Sequence, residues 1–140
     1  MKAKSVLCFD FGTKRIGIAY GNSLTGSGQA LKEITALDGV PQWTEIQSLI
    51  KEYQPDILLT GLPLNMDGTE NDMCLRARKF ARRLHGRFYL PSFVWDERLS
   101  SEAAKGISPS DNYKANAVDS LASVMILQSW FENGAPENPA

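Results

Sequence analysis

Val6-Leu7-Cys8-Phe9-Asp10-Phe11 and Ile16-Gly17-Ile18-Ala19-Tyr20, joined by Gly12-Thr13-Lys14-Arg15, decide the fold of this chain. Two short apolar, β-rich runs around a compact polar turn read as a hairpin. Asp10 ends the first run, where a carboxylate is costly unless it is paired, hydrogen-bonded or holding a cation. A third run near Ala30–Ala36 follows the polar, glycine-rich stretch 22–28, so three antiparallel strands are expected. Then the period changes. Trp43, Ile46, Leu49, Ile50 and Tyr53 recur at helical spacing, and Pro55 is expected to end that helix.

Beyond it, Asp56-Ile57-Leu58-Leu59-Thr60-Gly61 is short, apolar and preceded by a helix, the pattern of a buried parallel strand. Residues 63–68 read as a loop. Thr69 with Asp72 resembles a capping box that opens a helix to about His85, which Gly86 stops. A strand at about 92–97, a short helix, a loop at 106–112 and a long apolar helix over 117–131 follow. Three strands, then helices alternating with strands, predict an α/β fold: a mixed five-stranded sheet, three strands antiparallel and two parallel, with helices on both faces. A single domain over 1–132 is expected, and the Pro-, Gly- and Asn-rich tail 133–140 is expected to fray.

Composition narrows the function. The chain has 140 residues, 43% hydrophobic and 22% charged, as in ordinary globular proteins. No window reads as a membrane span and no secretory signal is visible. Cys8 and Cys74 are isolated thiols, which fits a reducing cytoplasm better than a disulfide or zinc framework. The net charge of −1 hides a sharp asymmetry. Residues 73–95 hold six bases (Arg76, Arg78, Lys79, Arg82, Arg83, Arg87) and no acid, whereas from 96 onward seven acids face three bases. A basic surface set against an acidic pocket suits a protein that grips phosphates and binds metal.

Three acids are candidates for that pocket: Asp10, Glu97 at the end of a strand, and Asp119 near the start of the last helix. In α/β sheets, sites form beyond the carboxyl ends of strands. Asp119 meets the other two only if the last helix packs across that edge. Hard carboxylate oxygens suit Mg²⁺ or Mn²⁺, and two such ions activate water and offset charge in phosphodiester hydrolysis. Asp10 would then bridge the ions, with Glu97 and Asp119 as outer ligands. Asp96 and Glu97 are strand neighbours and point to opposite faces, so only one joins the site. Lys14 and Arg15, directly after Asp10, are placed to meet phosphate. Arg78, Arg82 and Arg83 on the basic helix are candidates for backbone contact, although charges on an outer helix face are ordinarily just solvated. His85 reads as a helix C-terminal residue, and without it no Ser/His/Asp arrangement can be assembled.

With these residues assembled, the chain resembles the YqgF family, also called RuvX, of Holliday-junction-resolvase-like nucleases in the RNase H-like superfamily. The segments that carry the likeness are 9–17 (Phe-Asp-Phe-Gly-Thr-Lys-Arg-Ile-Gly), 61–69 (Gly-Leu-Pro-Leu-Asn-Met-Asp-Gly-Thr), 77–80, 96–100 (Asp-Glu-Arg-Leu-Ser) and 118–120 (Val-Asp-Ser), and the match runs over about 5–131. The resemblance implies an RNase H fold, a cytoplasmic location and a nuclease maturing the 5′ end of pre-16S rRNA during ribosome biogenesis, on RNA free or in a ribosomal particle. It also implies Asp10, Glu97 and Asp119 as metal ligands, and selects Glu97 over Asp96. Arg98 and Lys114 join the expected nucleic-acid contacts. The segment between Ser101 and Val118 is shorter than in the family members compared, which also carry a Lys close before the Val-Asp pair where this chain has Asn116-Ala117. Substrate choice and rate are the properties this affects.

Three alternatives compete. Asp10-Phe11-Gly12-Thr13 is also similar to the first phosphate loop of sugar kinases and actin-like ATPases, but that machinery needs a second loop and a second domain. A non-cleaving nucleic-acid-binding module is the stronger rival, since RNase H-like domains without their acids behave so. A Holliday junction resolvase acting on branched DNA is the third, and would need a dimer.

Overall fold

The computed structural model describes residues 3–98 and 120–140. Strand β1 (Ser5–Asp10) is central and nearly inaccessible, which is why its sequence is an unbroken apolar run. It pairs antiparallel with β2 (Arg15–Asn22), and β2 with β3 (Gly28–Leu37). On its other side β1 pairs parallel with β5 (Ile57–Leu62), and β5 with β6 (Ser92–Asp96). The three antiparallel and two parallel strands are as the pattern predicts.

The sheet has six strands rather than five, in the order β4-β3-β2-β1-β5-β6. The extra one, β4 (Val40–Pro41), turns back on β3 through Asp38-Gly39, both at positive φ (48° and 82°). That is the backbone of a two-residue hairpin turn whose twist matches the flanking strands. An Asp-Gly dipeptide is a strong local signal for it, but the two-residue strand it starts is too short to leave a periodic pattern in the sequence.

Helix α1 (Trp43–Tyr53) and helix α2 (Asp72–Phe88) cover one face of the sheet. Their Ile46, Phe80 and Leu84 pack on Leu7, Phe9, Ile16, Ile18 and Leu58. Helix α3 (Leu121–Glu132) covers the other face, its Val124–Leu127 and Trp130 lying on Val6, Cys8, Ala19, Ile57 and Leu59. Each large apolar side chain buried in this way contributes about 1.5–3 kcal/mol. α3 is apolar nearly all round, so its buried serines need partners. Ser123 donates to the Cys8 carbonyl at 2.8 Å, and Ser129 accepts from the Trp95 indole at 3.1 Å.

Three local expectations are corrected. α2 is capped not by a Thr69–Asp72 box but by Asn71, whose side chain accepts from the Cys74 N–H at 2.8 Å. Gly86 does not stop it: the helix runs on to Phe88, whose ring packs near Trp43 (6.4 Å), and Tyr89 ends it in the left-handed region. Tertiary packing outweighs the modest cost of one helical glycine. The tail, read as frayed, returns along β6. Asn138 accepts from the Val94 N–H at 2.8 Å, Pro139 bridges Phe93, and Trp130 donates to the Pro136 carbonyl at 2.9 Å. The short helix expected after β6, the loop at 106–112 and the first residues expected of the last helix, 117–119, lie outside the described residues, apart from a first helical turn begun at 97–98.

Candidate active site

The pleat of the sheet sorts the acids. Along β1, Val6 and Cys8 face α3, so Asp10, two residues on, faces the same way. Along β6, Phe93 and Trp95 face α3, and Glu97 continues that alternation just past the strand end. β5 lies between them and contributes Gly61. A Cβ built on Gly61 would stand 2.8 Å from the Glu97 carboxylate and 2.6 Å from Ile126. The missing side chain is therefore what admits Glu97 between the two strands and under α3.

Asp10 and Glu97 share a hydrogen bond at this edge. Burial raises Asp10 above the usual carboxylate range, with the bond from Glu97 opposing the rise. Burial likewise pushes Glu97 up to about 7, helped by the negative charge and hydrogen bond of Asp10 and by the charge of Asp96. Two carboxyls in hydrogen-bond contact share a proton unless a cation replaces it. The donor set is all hard oxygen, which fits Mg²⁺ or Mn²⁺. Among the described residues no third such donor joins them.

Asp119 and Lys114, expected in the site, lie outside the described residues. Ser120 does not. It is fully buried, accepts from the Ile18 N–H at 3.2 Å and donates to the Leu31 carbonyl at 2.6 Å. With Ser123 on the Cys8 carbonyl, these bonds fix the start of α3 across β1, β2 and β3, on the face that carries Asp10.

The neighbouring Asp96 turns to the other face and is occupied there. The Arg98 guanidinium donates to both its oxygens (2.7–3.1 Å) and to the Met66 carbonyl at 3.0 Å. Arg98, expected as a nucleic-acid contact, thus ties β6 to the loop after β5. That loop is organised from within: Asn71 donates to Pro63 and to Asn65, Asn65 donates to Thr69, and Thr69 donates to Asp67. Its tip, Met66, is 92% exposed.

The bases are sorted too. Lys14 and Arg15 are exposed at the β1–β2 turn, Arg15 within 3.4 Å of Glu33. Backbone bonds from Ala36 to Lys14 and from Gly39 to Thr13 join this turn to the β3–β4 hairpin. On α2, Arg78 pairs with Glu70, Arg82 reaches the Ala140 carbonyl at 3.4 Å, Arg76 binds Asp38, and Arg87 stacks over Trp43 at 4.2 Å. Lys79 and Arg83 are exposed and have no such partner among the described residues. A run without acids nearby in sequence says nothing about acids delivered from elsewhere in the fold, and that is why four of six bases proved to be engaged. His85 sits at the end of α2 against the Leu90 carbonyl, 2.9 Å away. Burial raises both thiols, Cys74 to about 11, so neither is a nucleophile at neutral pH.

Comparison with known proteins fits this geometry. The profile of the RuvX family, described as Holliday junction resolvase, matches residues 4–133. The chain belongs to the RuvX family. Among its relatives is a protein of Saccharophagus degradans named "Putative pre-16S rRNA nuclease", 48% identical over 97% of this chain and 99% of its own length. A protein of the same name from Chromohalobacter salexigens is 55% identical over 90% of this chain and 88% of its own. Among solved structures, Thermus thermophilus RuvC in complex with a Holliday junction substrate superposes with a TM-score of 0.58 at 12% identity, over 96% of this chain and 98% of that one. The yeast mitochondrial Holliday junction resolvase Ydc2 gives 0.56 at 10%, covering 93% and 78%. At such identities the likeness is one of fold, and the fold is that of the RNase H-like resolvases.

Proposed function

We propose that this RuvX-family chain is a divalent-metal-dependent nuclease that hydrolyses phosphodiester bonds in RNA, acting in 5′-end maturation of pre-16S rRNA. The observation that carries the reading is the Asp10–Glu97 pair: two carboxyls held in hydrogen-bond contact and partly desolvated, at the carboxyl edge of the sheet. Hard carboxylate oxygens held side by side suit a divalent cation, which would take the place of the shared proton. The names borne by relatives at 48% and 55% identity support pre-16S rRNA as substrate.

Asp10 and Glu97 would hold the metal, with Asp10 shared if two ions bind, and Asp119 is the proposed third ligand. The support for Asp119 is its place in the chain, directly before the anchored Ser120. Bound there, Mg²⁺ or Mn²⁺ supplies a more acidic water and offsets the charge on the leaving oxygen. The chain's own contribution is to hold the carboxylates with little freedom, Glu97 in the notch at Gly61 and Asp10 at the end of a buried strand. Lys14 and Arg15, on the turn that follows Asp10, are proposed as phosphate contacts. The cytoplasm is the proposed compartment, a reading supported by two free buried thiols. No helix among the described residues is long and apolar enough to cross a membrane.

The description of the family profile favours a second substrate, branched DNA. One experiment separates the readings. Labelled single-stranded RNA and a four-way DNA junction are incubated with wild type and Asp10→Asn in Mn²⁺, Mg²⁺ or EDTA. Metal-dependent RNA cleavage that falls at least ~100-fold in the variant is expected, in line with the loss of one key electrostatic group. Cleavage of the junction alone would transfer the activity to DNA. Equal cleavage by the variant would overturn the metal site, and binding without cutting would favour a non-cleaving module.

A further inference from the structure

Phe11 follows Asp10, and its side chain turns to the α2 side of the sheet, where it packs on Phe80 with ring centroids 5.3 Å apart. These two rings form the floor of a cavity of about 270 Å³ between α2 and the β3–β4 hairpin. Its α2 wall is cationic: Arg76, Lys79 and Arg83, at spacings of three and four, lie on one stripe of the helix. The opposite wall is the Asp38-Gly39 turn. Gly39, at φ 82°, passes so close that a Cβ there would be 2.8 Å from the Phe11 ring and 3.2 Å from the Arg76 guanidinium. Asp38 is the one acid of the lining among the described residues, and Arg76 takes both its carboxylate (2.9 Å) and its carbonyl (2.8 Å). Lys79 and Arg83 are left facing the cavity with no counter-charge among the described residues. Like charges one helical turn apart repel, and an anion between them reverses the sign of that interaction.

We propose that this cavity is a phosphate subsite for the nucleic-acid strand, with Lys79 and Arg83 as the groups that hold the anion and the Arg76–Asp38 pair as its rigid wall. The proposal rests on the nuclease reading and deepens it. At about 270 Å³ the cavity falls below the roughly 300–1,000 Å³ typical of sites for free small ligands. It suits one phosphate of a polymer held at several points. Because Asp10 and Phe11 are consecutive, a phosphate seated here lies just across the end of β1 from the carboxylates. Lys79 and Arg83 are therefore positioning residues, which act on strand binding and leave the chemical step alone. Arg78 and Arg82 lie outside the proposed subsite, since Glu70 and the Ala140 carbonyl engage them.

The test compares two double variants of equal charge, Lys79→Ala/Arg83→Ala and Arg78→Ala/Arg82→Ala. Binding of a labelled single-stranded RNA is measured in EDTA over a series of salt concentrations. The cavity variant is expected to flatten the log–log salt slope by about 0.7, the value for one phosphate no longer neutralised. The second variant is expected to keep the wild-type slope. In metal, the cavity variant should raise KM about tenfold with kcat within about twofold. An unchanged slope in the cavity variant, or equal flattening in both, overturns the subsite while the nuclease reading stands. Wild type that binds neither RNA nor branched DNA overturns both together. Inorganic phosphate is the last arm: if it saturates the Lys79 and Gly39 amide signals at millimolar concentration without displacing RNA, the cavity takes a free anion and the strand assignment fails.

Discussion

Asp96 and Glu97 are consecutive in the chain and opposite in situation. Asp96 faces the α2 side, where the Arg98 guanidinium meets both its oxygens and then reaches the Met66 carbonyl. Glu97 faces the α3 side, where it meets another carboxylate in a notch made by a glycine. The first acid is compensated within the protein and serves to hold a loop. The second shares a hydrogen bond with another carboxyl, an arrangement in which a cation can take the place of the proton. The two residue types alone are nearly interchangeable. What separates a structural acid from a candidate ligand is the pleat, one residue out of phase.

The comparison can be broken most sharply at Glu97. Glu97→Gln is expected to lower metal-dependent cleavage about 100-fold or more, whereas Asp96→Asn should leave kcat within a few-fold and instead increase protease sensitivity in the 63–69 loop. Equal losses in the two variants would end the distinction. Gly61→Ala comes next. The added methyl would press on Ile126 and on the Glu97 carboxylate, at 2.6 and 2.8 Å, so a loss of about 1–3 kcal/mol of stability is expected. Reduced metal affinity in isothermal titration should accompany it, and a fully active, fully stable Gly61→Ala protein would show that the notch is not needed.

The pH dependence sharpens the same contrast. Glu97 moves from an ordinary 4.5 to about 7 on folding, so the folded state holds this proton more tightly than the unfolded one. That contribution to stability is complete below about pH 4.5 and is lost as pH rises through about 7. Metal-free protein is expected to be about 1–3 kcal/mol more stable at pH 5 than at pH 8 in denaturant titrations. Glu97→Gln should flatten the profile, as should saturating Mg²⁺ at the high-pH end. A wild-type profile already flat in EDTA would mean that the two carboxyls do not hold one another's proton. The smallest effect is expected at Ser123→Ala, which leaves the Cys8 carbonyl without its 2.8 Å donor. Loss of about 1 kcal/mol is expected by thermal denaturation.

Much of this was legible in the chain before any coordinates. The alternation and length of apolar runs placed β1, β2, β3, β5, β6 and the helices between them, because burial of one face imposes a period that survives in sequence. Strand ends drew attention to Asp10 and Glu97, since a carboxylate closing a buried strand needs a reason to be there. What the chain did not disclose is whatever depends on a partner distant in sequence. The basic run of α2 looked like a phosphate surface, but Asp38, Glu70, Trp43 and Ala140 reach it from elsewhere and leave Lys79 and Arg83. Gly61 looked like the end of a strand, and only the approach of Glu97 and Ile126 gives its lack of a side chain a purpose.

Periodicity and turn chemistry are local, so the sequence by itself determined the elements, their order and which acids end which strands. Which carboxylate meets which, and which cation stays uncompensated, are pairwise electrostatic outcomes between segments brought together by the sheet. The tertiary structure alone decided these, because a charge acts over a few ångströms of space whatever its distance along the chain.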